Sequence, residues 1–174
     1  MIYDKLEQRV GPELLPLFAR FSFAATLLVF FWRSALTKLG DGFSGLWTPS
    51  LNAYAQVLPA RFEAAGYDVG AMSGLDQLIV VLGTWGEFVL PLLIVLGLFT
   101  RLASLGMLAF LAVMTWVDLF GHGVEPGMWF DGDPKGLVAD LRLYWVLALL
   151  VLVSFGAGSL SVDRYLKKRI SWAR

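Results

Sequence analysis

Cysteine is absent from the 174 residues, and histidine occurs once, at His122. Without thiols the chain cannot run thiol–disulfide exchange, hold an iron–sulfur cluster or build a cysteine-based zinc site. One imidazole cannot supply a bis-histidine haem or a multi-ligand metal centre within one chain, so no metal site is expected. Charge is scarce too. Only 16% of the residues are Asp, Glu, Lys or Arg, against about 25% in soluble domains. Basic and acidic residues number 14 each, so no net positive field exists to attract nucleic acid. No Gly-rich phosphate loop, nucleophile elbow or paired-carboxylate hydrolase pattern is present, and self-contained soluble-enzyme chemistry has no support.

What the chain has in excess is apolar surface: 57% of residues are hydrophobic and the mean hydropathy is +0.68. Apolar stretches at about 17–36, 75–99, 102–120 and 141–155 approach the ~20 residues that a hydrocarbon core demands. The expected fold is therefore all-α, a four-transmembrane-helix bundle forming one integral membrane domain over 1–174. Thr100 and Arg101 read as the tight turn between the second and third spans, which makes Arg101 a structural residue.

Lys and Arg collect on cytoplasmic loops. One side of these spans carries Lys5, Arg9, Arg20, Arg101, Arg164, Lys167, Lys168, Arg169 and Arg174, whereas the other has only Lys38, Arg61 and Lys135. Both termini are expected in the cytoplasm, with loops 40–74 and 121–140 facing outward. Ala53-Tyr54-Ala55 resembles a leader cleavage site, but the first apolar core ends well before it, with Arg33 and Lys38 between, so an uncleaved first span is expected. Segment 46–65 mixes aromatics, aliphatics and two prolines with few charges, which predicts short interfacial helices in the first outer loop. Ser161 is placed to cap a short basic helix lying against anionic lipid.

Glu87 stands inside the apolar run from Leu78 to Phe99. A carboxylate at the centre of a span costs on the order of 2.5–3.5 kcal/mol, so it is expected to face protein, find a base and mark a functional path. Pro91, four residues on, lacks the N–H that would bond the Glu87 carbonyl, which adds a polar spot beside the acid. Gly83 and Gly86 permit close approach of a helix or ligand. Helical spacing groups Thr26, Phe30, Arg33 and Thr37 on one face of the first span. Asp76, Val80, Gly83 and Glu87 share a face of the second, and Ser104, Leu108, Leu111, Thr115 and Asp118 a face of the third. Asp140, Arg142, Tyr144 and Trp145 lie near the outer end of the fourth. Convergence of these stripes predicts a polar pocket that opens outward and is floored near Glu87, with Trp85 and Trp116 available to line it. A plainer reading is a structural Glu87–Arg33 ion pair tying the first two spans together. Arg33 alone could instead reach the outer interface, and Lys38, Asp76, Asp140 and Arg142 are expected as interfacial anchors.

The segments that carry this pattern resemble the DoxX family of small bacterial membrane proteins. FWRSALTKLGD, from Phe31 to Asp41, is similar to a family segment ending in Lys-Leu. WGEFVLPLLIVLGLFTRLASLG, from Trp85 to Gly106, resembles its acid, then Pro, then Gly-Leu-x-Thr-Arg stretch. GAGSLSVD, from Gly156 to Asp163, is similar to a closing Gly-Pro-Gly…Ser-Leu-Asp pattern, from which Ala157 and Val162 depart. The resemblance implies a multi-pass bundle in the bacterial inner membrane. It also implies a link to thiosulfate:quinone oxidoreductase subunits and to membrane-associated oxidoreductase complexes in redox defence. The form running from Arg33 to Lys38 looks like a subgroup encoded near metal-stress and periplasmic export genes.

Two functions fit these residues. The first is a redox-linked membrane subunit that binds a quinone or similar amphiphile in the outward pocket. Glu87 would act catalytically in proton exchange, Trp85 and Trp116 would flank the ring, and Arg33, Asp118 or Arg142 would meet its polar oxygens. Electrons would come from a partner redox protein, since the chain has no motif for holding a redox group of its own. The alternative is a non-enzymatic scaffold whose outer loops recruit periplasmic stress, metal-handling or maturation proteins. A solute carrier would require a homo-oligomer, because four helices enclose little space.

Overall fold

A computed structural model describes residues 2–172, with side chains described from 11 to 169. The basic positions Lys5 and Arg9 therefore have described backbone only, and Arg174 lies outside the described residues. All regular structure among the described residues is helical. The elements are α1 (Ile2–Phe23), α2 (Val29–Lys38), α3 (Leu51–Val57), α4 (Pro59–Ala64), α5 (Gly74–Leu96), α6 (Thr100–Trp116), α7 (Ala139–Phe155) and α8 (Val162–Trp172). A π-helical turn, Ala24–Leu28, links α1 to α2, and a second, Val117–Gly121, extends α6.

Among the described residues, three helices are long and apolar enough to cross a membrane: Gly11–Lys38, Gly74–Leu96 and Thr100–Gly121. The fourth expected span, α7, is 17 residues long, about 25 Å at 1.5 Å per residue and so a little short of a ~30 Å hydrocarbon core. The chain divides into two compact units. The first comprises residues 1–29, 90–108 and 142–174, and the second 30–89 and 109–141. Ten of the 14 basic residues belong to the first unit and ten of the 14 acidic residues to the second.

The first unit is organised by one cation and one anion at helix ends. Where α5 stops, Gly97 takes a left-handed φ of 68° and the Leu98 N–H bonds back to the Leu93 carbonyl, a Schellman-type ending. The carbonyls left over are satisfied by Arg20. Its guanidinium donates to Ile94 at 3.1 Å, Val95 at 2.6 Å and Ala157 at 3.0 Å, and also to Leu160. A buried cation on the carbonyl end of α5 matches the helix dipole as well as its orphan acceptors. The opposite charge serves α6. Asp163 accepts from the backbone N–H groups of Phe99 and Thr100 at 2.8 and 3.0 Å and from the Thr100 hydroxyl at 2.9 Å. This remote cap moves the turn from the expected Thr100-Arg101 to Gly97–Phe99, and Thr100 and Arg101 become the first residues of α6. Exposed Arg101 donates to the Ser154 carbonyl of α7 at 3.0 Å. Ser161 caps α8 as expected, accepting from the Arg164 N–H at 3.2 Å.

In the second unit the loop between α2 and α5 folds into the two short helices α3 and α4, within the segment where short helices are expected. Ala53, Tyr54, Phe62 and Met72 form a buried cluster with Val80 of α5, and burial raises the Tyr54 phenol above its ordinary pKa. Asp76 begins α5 as half of a capping box, taking the Ser73 hydroxyl at 2.6 Å and bonding Ser73 Oγ through its own N–H at 3.2 Å. It also pairs with Arg61 of α4. Asp76 thus caps the start of α5. After α2 the chain pinches between Gly40 and Gly45, where a Cβ on Gly45 would lie 2.0 Å from the Gly40 carbonyl oxygen. No side chain fits there.

Replacing Arg20 should be costly, because truncation leaves buried carbonyls unsatisfied at about 1–3 kcal/mol each. Arg20→Ala is expected to lower the thermal midpoint in detergent sharply. Arg20→Lys should recover only part of it, since one ammonium cannot serve four carbonyls in a planar fork. Equal stability of Arg20→Lys and the parent chain would refute the fork as the organising contact.

Candidate functional site

Burial decides which polar groups of the second unit belong together. On α2 the buried positions are Phe31, Ala35 and Lys38, whereas Phe30, Arg33 and Thr37 are exposed. The expected polar face of the first span therefore points outward. Its hydroxyls need no shelter, because Thr26 Oγ1 donates to the Ser22 carbonyl and Thr37 Oγ1 to the Ser34 carbonyl, both at 2.7 Å. On α5 the expected face holds: Asp76, Val80 and Glu87 are all buried.

Glu87 is matched by Lys38, not by Arg33. The Lys38 ammonium lies 3.0 and 2.9 Å from the two carboxylate oxygens. The side chains of Lys38 and Glu87 are 4% and 6% exposed. Ser34, one turn before Lys38, donates to Glu87 Oε1 at 3.2 Å and accepts from Lys38 Nζ at 2.6 Å. The three polar side chains close a ring. Lys38 stands in the last turn of α2, where the helix dipole favours a cation. That turn is held by the chain that follows: the Lys38 carbonyl accepts the Ser50 N–H at 2.9 Å, and the Thr37 carbonyl accepts from Ser50 Oγ and Asn52 Nδ2 at 3.1 and 3.2 Å. The lysine expected as an interfacial anchor is instead a buried ion-pair partner.

Aromatic rings run alongside. Trp32 and Phe88 have centroids 6.4 Å apart, Phe88 and Trp85 6.2 Å, and Trp85 and Trp47 5.4 Å. The indole N–H of Trp32 donates to the Phe88 carbonyl at 3.2 Å, and that of Trp85 to the Leu46 carbonyl at 2.9 Å. Trp32 and Trp47 are exposed at 37% and 63%, so the ladder has outward-facing ends. Since Glu87 lies between Trp85 and Phe88 in α5, the rings and the ionic ring share one stretch of helix.

The other expected site residues have these surroundings. Trp116 is exposed and stacks on Phe120 at 4.3 Å. Asp118 sits half-buried in the π-turn, its carbonyl accepting the Val124 N–H. Arg142 is buried and belongs to the first unit. Pro91 is fully buried in an unbroken α5. A Cβ on Gly83 would meet the Val57 methyls at 3.9 Å, so what approaches there is the end of α3, in ordinary contact. Ser34 was missed, although its i, i+4 relation to Lys38 is visible in the sequence.

The DoxX family model matches residues 15–123, well over half of the chain. The chain belongs to the DoxX family. The matched span contains both Lys38 and Glu87, two of the three helices of membrane-crossing length and most of the other, so this is a DoxX-family integral membrane protein. No curated protein and no solved structure matches it. Among the described residues of this DoxX chain, no group of three or more His, Cys, Asp or Glu side chains could hold a metal ion.

Removing one partner of a buried ion pair strands the other, at a cost of about 3–5 kcal/mol. Lys38→Met and Glu87→Met should each destabilise the protein by that order, while the double variant regains much of the loss. Additive losses in that cycle, measured by thermal unfolding in detergent, would show that the two groups are not coupled.

Proposed function

We propose that this DoxX-family protein is a redox-linked membrane subunit that binds a quinone or similar amphiphile beside the Lys38–Ser34–Glu87 ring. The carrying observation is the coincidence of a buried, proton-capable polar cluster with an aromatic ladder whose ends are exposed. A quinone needs flat apolar surface for its ring and donors at its carbonyl oxygens. Trp32, Phe88, Trp85 and Trp47 supply the first. In this reading Lys38 and Ser34, which otherwise donate to Glu87, turn to a developing negative oxygen on the ligand, and Glu87 exchanges a proton with it. Electrons arrive from a partner redox protein.

The topology belonging to this reading is a four-span bundle in the bacterial inner membrane, with α7 as the fourth crossing and both termini cytoplasmic. Nine basic residues, Lys5, Arg9, Arg20, Arg101, Arg164, Lys167, Lys168, Arg169 and Arg174, support that orientation through the positive-inside rule. The loops that follow α2 and α6 then face outward.

Glu87→Gln keeps shape and hydrogen-bonding capacity but removes the proton-exchanging group. Quinone-dependent turnover in membranes carrying the variant is expected to fall at least about a hundredfold, in line with loss of a general acid–base group, with insertion unchanged. Ser34→Ala should weaken retention of bound quinone, measured by native mass spectrometry from mild detergent. Unchanged turnover in Glu87→Gln would remove the proton role. Finding no quinone or other amphiphile on the parent protein would remove the binding role.

A further inference from the structure

Helix α8 plays no part in the ladder or the ionic ring, and its surface has a composition that water alone does not explain. By helical spacing Arg164, Lys167 and Lys168 form one strip, and Val162, Tyr165 and Leu166 another. Arg164, Lys167, Lys168 and Arg169 are all exposed. The apolar strip is largely uncovered as well, with Tyr165 at 55% and Leu166 at 40% exposure, and Leu160 just before the helix at 70%. Exposed apolar and exposed basic strips on one short helix are both accommodated at the boundary between acyl chains and negatively charged headgroups.

The first turn of α8 is also bolted to the α5–α6 turn. The Asp163 N–H donates to the Gly97 carbonyl at 2.9 Å while its carboxylate caps Phe99 and Thr100. Arg164 reaches Glu13 of α1 at 3.4 Å. Whatever holds α8 in place therefore also holds the cap of α6.

We propose that α8 is a docking surface for anionic phospholipid headgroups, and that lipid bound there keeps Asp163 seated on the α6 N-terminus. This inference goes beyond the amphiphile reading and does not depend on it. The headgroup phosphates meet Arg164, Lys167 and Lys168, the acyl boundary meets Tyr165 and Leu166, and the gain is passed to the bundle through Asp163.

The full chain would be placed in phosphatidylglycerol nanodiscs and in phosphatidylcholine nanodiscs. The thermal midpoint should be at least about 5 °C higher in the anionic lipid and should lose that advantage in 1 M salt. Lys167→Glu with Lys168→Glu should abolish the difference, whereas Lys135→Glu, a control in the second unit, should keep it. Asp163→Asn should lower stability in both lipids and shrink the difference between them. Equal midpoints for the parent chain in the two lipids would overturn the proposal, as would a lipid difference that survives in the double variant or disappears equally in Lys135→Glu. Restoration of the shift in phosphatidylcholine by inorganic phosphate would assign the strip to soluble anions instead. Should the double variant fail to fold, native mass spectrometry of the parent chain decides: phosphatidylglycerol should be retained at least about tenfold over phosphatidylcholine, and no preference would refute the docking.

Discussion

The contact on which the second unit depends is a lysine ammonium facing a glutamate carboxylate with almost no water between or around them. Each charge alone would be intolerable inside an apolar helix bundle, and the low dielectric that makes it so also strengthens the attraction between them. Ser34 completes the arrangement by bonding both partners. The geometry holds because the end of α2 is fixed from outside. Ser50 and Asn52 bond its last carbonyls, and the Gly40–Gly45 pinch turns the chain back sharply enough for them to arrive. A helix end that frayed would carry the lysine away from its partner. The loop after α2 is therefore part of the site's foundation, and the tryptophan bond to Leu46 in that loop ties the aromatic ladder to the same frame.

The first unit solves a related problem with separated charges. Helix ends leave carbonyls and amides unpaired, and in apolar surroundings water is not there to meet them. Arg20 answers the carbonyls of α5 and of the chain after α7, and Asp163 answers the amides of α6. Each charge sits at the pole of the dipole that favours it. Both residues come from segments remote in sequence from the ends they serve. The short α5–α6 turn needs no polar residues of its own for this reason, and Phe99 is held there at a positive φ of 48°.

Family and site together describe an apolar protein whose few buried charges are nearly all accounted for by partners on other helices. In an economy of only 28 charged side chains, those placed at Arg20, Lys38, Glu87 and Asp163 define how the helices end and meet. The functional reading grows from the one cluster that combines a proton-exchanging carboxylate, an ammonium, a hydroxyl and flanking aromatic rings. The basic α8 belongs to a different surface and a different chemistry.

The sequence by itself determined the helical class, the positions of the three long apolar helices, the family, the short helices within 46–65, the Ser161 cap and Glu87 as a buried acid. These follow from local quantities: hydropathy summed along a window, residue propensity, and the cost of one carboxylate in an apolar run. Which face of α2 turns inward was decided only in three dimensions. Thr37 on its polar face, like Thr26 in the π-turn before it, is satisfied by the backbone of its own helix, so polarity did not mark the interior, and the face bearing Phe31, Ala35 and Lys38 was buried instead. The Lys38 partnership and the remote caps by Arg20 and Asp163 were likewise tertiary outcomes. Each depends on bringing together segments dozens of residues apart, and no local pattern records which charge will meet which helix end.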